Sequence, residues 1–224
     1  MFKKFLCSVA ALGALALVAQ SEAKAATIFG FYSLDGGATI NPLLDADPSA
    51  SGFAFFGALG NFNVNILGGA VQPAAGTDLF TATAIDSHTA PSTDLLKLYF
   101  VGTGFTPGGS QTFTSQFTSN AQGSGLTVGE STYLGTPFAP GTLLGSALFP
   151  PLLGTASSVT SAFAALGYSL TGEFDITATG VQSQTGTIRV SAVPGPIVGA
   201  GLPGLVAACG GLLALARRRR KQAI

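Results

Sequence analysis

The chain has no tryptophan, one histidine and two cysteines among its 224 residues. Cys7 and Cys209 both lie in apolar terminal stretches, so the segment between the ends, residues 26–193, has no disulfide framework and no cysteine nucleophile. Because His88 is the single histidine, a zinc site built on several histidines and cysteines is excluded as well.

Cations are scarce in this central segment. Only Lys97 and Arg189 lie there, against nine of the ten acidic residues, so its formal charge is −7. A surface with two cations cannot neutralise a row of phosphates, and we therefore expect no nucleic-acid partner. The other eight cations lie near the two ends of the chain.

The first 25 residues have the three parts of a secretory signal peptide. Lys3-Lys4 precedes an apolar run over residues 5–19, and the small-x-small sequence Ala23-Lys24-Ala25 follows. We predict that signal peptidase cleaves between Ala25 and Ala26. An uncleaved anchor helix is the alternative, although the run is short for a membrane span.

The end of the chain predicts a membrane-spanning helix with a basic tail. Residues 197–216 carry no charge, and a helix of that length covers about 30 Å, the thickness of one hydrocarbon core. Five consecutive cations follow, which the positive-inside rule assigns to the cytoplasmic side. They are Arg217, Arg218, Arg219, Arg220 and Lys221. A plain single-pass anchor is the alternative to a processed signal.

The motif Val193-Pro194-Gly195-Pro196, the charge-free helix and the arginine-rich tail together resemble the PEP-CTERM sorting signal. The resemblance covers residues 193–224, with Gly195 where the family's motif has glutamate. It implies processing by exosortase, a membrane-embedded cysteine transpeptidase of Gram-negative bacteria that make exopolysaccharide. It also implies an inner-membrane intermediate and a final place at the cell surface or in the extracellular matrix.

Two prolines so close together are expected to keep this motif extended and outside any sheet. The chain is therefore divided into a signal peptide (1–25), an ectodomain (26–193) and a sorting signal (194–224).

Alternation of apolar and polar residues predicts an all-β ectodomain. The alternation is strict over 61–66 and is also clear over 96–100, 170–179 and 187–192. Further strands are predicted at 27–34, 52–58, 79–85, 111–118 and 126–134. Short strands separated by Gly, Pro and Asp turns are typical of an antiparallel β-sandwich, here expected to be jelly-roll-like. We predict a long loop over 135–154 and a short helix within 155–166.

Three aspartates in a loop-rich stretch, Asp35, Asp45 and Asp47, are candidate calcium ligands, because carboxylate and carbonyl oxygens are what calcium prefers. Their spacing is not that of an EF-hand loop. Aspartate is also common in turns for its own reasons, and turn formation explains the same residues.

Catalytic constellations are missing from the sequence. His88 lies in a polar stretch predicted as a loop, and no G-x-S-x-G elbow accompanies it. Glu173 and Asp175, two apart on one predicted strand, are more typical of a solvated strand face than of a glycosidase pair. We therefore expect no enzymatic activity, with an exported hydrolase as the least favoured alternative.

Two functions remain for the ectodomain. The first is a non-enzymatic surface or matrix protein associated with exopolysaccharide or biofilm. The second is a carbohydrate-binding β-sandwich module at the same location, for which exposed aromatic side chains would supply the binding platform. Tyr32, Tyr99, Tyr133 and Tyr168 are the tyrosine candidates.

Overall fold

The computed structural model of the chain describes residues 26–47, 49, 51–70, 78–106, 108–120, 124–136, 139–150 and 153–194. The predicted signal peptide, the predicted helix 197–216 and the basic tail lie outside the described residues. Within the described ranges, no helix is long and apolar enough to cross a membrane.

The described ranges fold into twelve strands. Their bounds are β1 (Thr27–Ser33), β2 (Asn41–Pro42), β3 (Gly52–Leu59), β4 (Phe62–Ala70), β5 (Asp78–His88), β6 (Thr93–Phe105), β7 (Gly109–Asn120), β8 (Leu126–Thr136), β9 (Ala139–Phe149), β10 (Leu153–Ala164), β11 (Tyr168–Thr179) and β12 (Gln182–Pro194).

The strands form two six-stranded sheets. Sheet A has the order β2-β1-β6-β11-β8-β9, and sheet B has the order β10-β7-β12-β5-β4-β3. Neighbouring strands are antiparallel throughout both sheets. The predicted antiparallel β-sandwich is confirmed, while the jelly-roll path stays a prediction.

The core lies between the two sheets and is dominated by phenylalanine. On β11 the alternating residues Leu170, Phe174 and Ile176 are fully buried, as the sequence pattern predicts. Phe100 of β6 lies edge-on to Phe174 at 5.9 Å and edge-on to Phe53 of sheet B at 6.1 Å between ring centroids. Each buried phenylalanine stabilises the fold by roughly 1.5–3 kcal/mol, so these rings join the sheets without covalent links.

Glycine makes room for one of the large rings. Phe80 of sheet B reaches across to sheet A, where a Cβ on Gly172 would lie 2.8 Å from its ring. Real Cβ atoms do not approach other atoms so closely, so glycine at this position lets a central strand of sheet A come close to the ring.

The predictions for residues 135–166 are wrong. The predicted loop contains β9, and the predicted helix is β10, which pairs with β7 over its whole length. Alanine and serine dominate β10 and have little β-propensity of their own, so the pairing with β7 decides its conformation.

The expectation that the proline motif stays outside the sheet is wrong for Pro194. This residue ends β12 and lies opposite Gln111 of β7. Beyond Ser191, β12 has no partner in β5, so among the described residues the end of the strand is paired with β7 alone. A proline is tolerated where one side of a strand needs no ladder hydrogen bond.

Candidate functional site

The outer face of sheet B carries a furrow that crosses several strands. One part of it is an open cavity of about 430 Å³, within the range of small-molecule sites. Amide, hydroxyl and apolar groups from four strands surround it. The lining residues are Gly57, Ala58, Asn63, Val64, Asn65, Ile85, Asp86, Ser87 and Ser183.

A row of directly opposed residues explains how the furrow is built. Phe56 of β3 lies opposite Asn65 of β4, Asn65 lies opposite Ile85 of β5, and Ile85 lies opposite Thr185 of β12. Residues directly opposite one another project from the same face of a sheet. The row therefore places an aromatic ring, an amide, an aliphatic side chain and a hydroxyl next to one another.

Phe56 and Asn65 are the most informative members of this row. Phe56 is 60% exposed although it is a large apolar side chain. The Oδ1 atom of Asn65 is buried and has no hydrogen-bond partner among the described residues. An atom with no accessible surface is not reached by a ligand in this conformation, so the exposed ring of Phe56 is the member of this pair that a ligand can contact.

A second cavity of about 250 Å³ lies farther along the same face, lined by Gln116, Thr118, Thr187 and Arg189. Thr187 and Ser183 of the first cavity are four residues apart on β12, which is roughly 13 Å along a strand. The two cavities can therefore be contacted by one elongated ligand.

The outer face of sheet A carries an ion-pair cluster. Lys97 donates to Glu173 Oε1 and to Asp175 Oδ2, both at 2.8 Å. Burial tends to lower the pKa of Lys97, but the hydrogen bonds to the two carboxylates outweigh it and hold that pKa well above its usual value. Glu173 is only 15% exposed. The strand face that we expected to be solvated is therefore partly shielded from water by the ion-pair cluster.

The four tyrosines do not form one platform. Tyr168 is a core residue that contacts Phe105 and Phe113 and donates to Gln111, and burial raises its pKa to about 12. Tyr99 and Tyr133 lie beside the ion-pair cluster, where burial and then the Glu173 charge raise the pKa of each phenol. Tyr32 is half-buried and packs against the core.

His88 is not a loop residue, which corrects the prediction. It ends β5 and is 1% exposed. Its Nδ1 contacts the Gly180 carbonyl oxygen at 2.7 Å and its Nε2 contacts Asp94 Oδ2 at 2.7 Å. Both partners accept hydrogen bonds, so both ring nitrogens are engaged, and the side chain ties the end of β5 to the β11–β12 turn.

Asp94 accepts further hydrogen bonds besides the one from His88. Ser92 and Asn61 also donate to its Oδ2, at 2.6 and 3.0 Å. The hydrogen bonds from Ser92, Asn61 and His88 lower the pKa of Asp94 to about 2. A carboxylate that remains ionised and already accepts three hydrogen bonds fits a structural role.

Two further acids are buried between the sheets. Burial raises the pKa of Asp86 to about 7, although Gln184 Nε2 donates to it at 2.6 Å. Burial also raises the pKa of Glu130 to about 8. The Thr118 backbone lowers that pKa in part, yet neither carboxylate oxygen of Glu130 meets hydrogen-bond geometry with a described residue.

The three candidate calcium ligands each form local turn contacts. Asp35 accepts from Ser33 and from the Thr39 backbone. Asp45 accepts from the Asp47 and Ala54 backbones, and Asp47 accepts from the Ser49 backbone. Among the described residues no group of three or more His, Cys, Asp or Glu side chains is placed to hold a metal ion, so the three aspartates are not gathered into one site.

Sequence reasoning missed Phe56 and Glu130. The alternation over residues 61–66 correctly places Asn63 and Asn65 on the outer face, but nothing in the sequence indicated which residues of β3 lie opposite them. The burial of Glu130 could have been predicted, because it shares its strand face with Leu126 and Val128, which are both buried.

Comparisons with known proteins identify no family. No family model and no curated protein matches the chain. Several solved structures resemble it distantly.

The enzymatically active domain of tailspike protein 4 of bacteriophage CBA120 is 10% identical over 61% of this chain, with a TM-score of 0.33, and this chain spans 20% of that one. The module TmCBM61, solved with β-1,4-galactotriose, is 10% identical, with coverages of 62% and 92% and a TM-score of 0.30. A carbohydrate-binding module of the β-sandwich superfamily is 8% identical, with coverages of 74% and 85% and a TM-score of 0.33. Likenesses this distant assign no function.

Proposed function

We propose that the chain is an exported carbohydrate-binding module that holds a neutral glycan in the furrow on sheet B. The observation that carries the proposal is the exposed ring of Phe56, which lies directly opposite Asn65 at the edge of the 430 Å³ cavity that Asn65 lines. A sugar ring has apolar C–H faces and polar hydroxyl edges, and it is recognised by an aromatic surface next to amides and hydroxyls.

The charge of the ectodomain supports a neutral ligand. Nine acids against two cations would repel a polyanionic polysaccharide. The residues that line both cavities are mostly neutral amides, hydroxyls and small apolar groups, with Asp86 in the first cavity and Arg189 in the second. The His88 contacts support a binding role rather than a hydrolytic one, because both ring nitrogens are engaged inside the fold.

The location of this module rests on the ends of the sequence. Signal peptidase would release the chain at Ala26, and exosortase would recognise the segment that begins at Val193. This part of the proposal places the glycan-binding face outside the inner membrane, where exopolysaccharide is the available ligand.

Calorimetric titration of the chain with neutral oligosaccharides and with exopolysaccharide tests the binding. Phe56→Ala is expected to weaken binding about 10- to 150-fold, the equivalent of the roughly 1.5–3 kcal/mol gained by burying a phenylalanine. Phe29→Ala is the matched control, since Phe29 is 47% exposed on the outer face of sheet A. Equal losses for the two variants, or no binding by the unaltered chain, would refute the proposed site.

A further inference from the structure

Strand β10 presents an open edge of sheet B. Its twelve residues pair with β7 without a register shift, and among the described residues no strand pairs with its other side. The side chains on its outer face include three large apolar groups. These are Leu153, Val159 and Phe163, which are 76%, 67% and 75% exposed.

The other three sheet edges are blunted. Strand β2 has two residues, and the register of β9 with β8 shifts twice. The edge of β3 is covered, because the Ala46 N–H donates to the Ala54 carbonyl and Asp45 accepts from the Ala54 N–H. Short strands, irregularities and covering loops are the usual protections against edge-to-edge pairing.

Strand β9 packs against the inner face of β10, where Ser158 and Thr160 donate to the Leu144 carbonyl at 3.1 and 2.7 Å, but among the described residues no strand, bulge or covering loop protects the backbone edge of β10. Residues 131–172 contain no Asp, Glu, Lys, Arg or His, so charge does not guard the edge either. Proteins normally place lysine, proline or a bulge on such an edge. An unguarded edge of this length is suited to receive another strand.

The sequence of β10 matches itself in the antiparallel direction. If Ser158 lies on a twofold axis, Leu153 faces Phe163 of the second copy, Thr155 faces Ser161, and Ser157 faces Val159. All three pairs lie on the outer face, with an apolar pair at both ends of the strand. A slip of one residue would place outer-face side chains opposite inner-face ones.

We propose that β10 is a self-association edge, through which two copies of the chain pair antiparallel about Ser158 and join their B sheets into one. The partner is a second copy of this chain because the edge is uncharged and complementary to itself. The contact is isologous, so it closes as a dimer and does not propagate.

Disulfide trapping tests the register. In the full chain carrying Cys7→Ser and Cys209→Ser, kept in mild detergent, Ser158→Cys is expected to form a covalent dimer under oxidation. Directly opposed residues of an antiparallel pair have Cα atoms about 4.5–5.5 Å apart, within disulfide range. Thr127→Cys, exposed on β8 of sheet A, should stay monomeric. Equal trapping at both positions, or none at Ser158→Cys, overturns the proposal.

A charge pair tests the contact without relying on oxidation. Val159→Lys is expected to convert the dimer to a monomer by light scattering, and adding Ser157→Glu should restore the dimer, because each new lysine would face a glutamate of the second copy. Thr127→Lys is the control for added charge. An unchanged mass for Val159→Lys, or a double variant that remains monomeric, contradicts the register.

Discussion

The buried carboxyl of Glu130 should make the stability of the fold depend strongly on pH. The side chain is 0% exposed, and its carboxylate oxygens have no hydrogen-bond partner among the described residues. Burial raises its pKa from an ordinary 4.5 to about 8. The folded chain therefore holds a proton that the unfolded chain releases between these two values.

The direction and size of the effect follow from proton linkage. Well below pH 4.5 the carboxyl is neutral in both states, so stability no longer changes with pH through this group. As the pH rises towards 8 only the unfolded state loses the proton, so stability falls by about 1.4 kcal/mol per pH unit and by about 5 kcal/mol in all. Between pH 5 and pH 7 the loss amounts to about 2–3 kcal/mol.

Glu130→Gln removes the titrating group while keeping its shape. Urea denaturation of both chains from pH 4.5 to 8 should show the variant gaining about 2–3 kcal/mol on the unaltered chain between pH 5 and pH 7. The amide adds its own constant offset, which the comparison across pH removes. A stability difference that stays the same across this range would show that Glu130 is solvated or paired, and the reasoning would fail.

Three other changes have expected outcomes. Gly172→Ala would place a methyl group 2.8 Å from the Phe80 ring and should cost about 1–3 kcal/mol by urea denaturation; an unchanged midpoint would mean that the ring moves freely. His88→Leu removes the hydrogen bonds to Asp94 and Gly180 and should lower stability by about 2–3 kcal/mol, which hydrogen exchange near the β11–β12 turn would localise. Pro194→Ala with Pro196→Ala should leave a C-terminal tag uncut in the inner-membrane fraction, whereas tag loss equal to that of the unaltered chain would count against exosortase processing.

The parts of the fold that sequence predicts well are those where polarity alternates strongly. On β11, Phe174 and Ile176 alternate with Glu173 and Asp175, and both the strand and its buried face were predictable. On β10 the alternating residues are small and only mildly different in polarity, as in Ala156-Ser157-Ser158. A pattern with so little contrast cannot distinguish a strand from a helix.

The candidate site was predictable only in part, for a different reason. Asn63 and Asn65 follow from local alternation, but the position of Phe56 beside Asn65 depends on the β3–β4 register. Likewise, the ends of β5 and β11 meet only in the fold, so the burial of His88 against Gly180 depends on residues 92 positions apart. Sequence periodicity predicts which face a side chain occupies, whereas pairing between strands decides its neighbours.

The proposed dimer would also change how a long glycan binds. Joining two B sheets at β10 puts both furrows on the same face, and with strands about 4.8 Å apart the two copies of β4 lie roughly 40 Å from each other. A polysaccharide could span both furrows, so its second contact would be intramolecular.

We therefore expect Val159→Lys to weaken binding to a long polysaccharide by tenfold or more, while the affinity for a short oligosaccharide stays unchanged. Calorimetry with both ligands measures the two effects on the same protein. A parallel loss for both ligands would mean that Val159 contributes to the furrow itself, and equal affinities for the polysaccharide in the two chains would mean that the furrows bind independently.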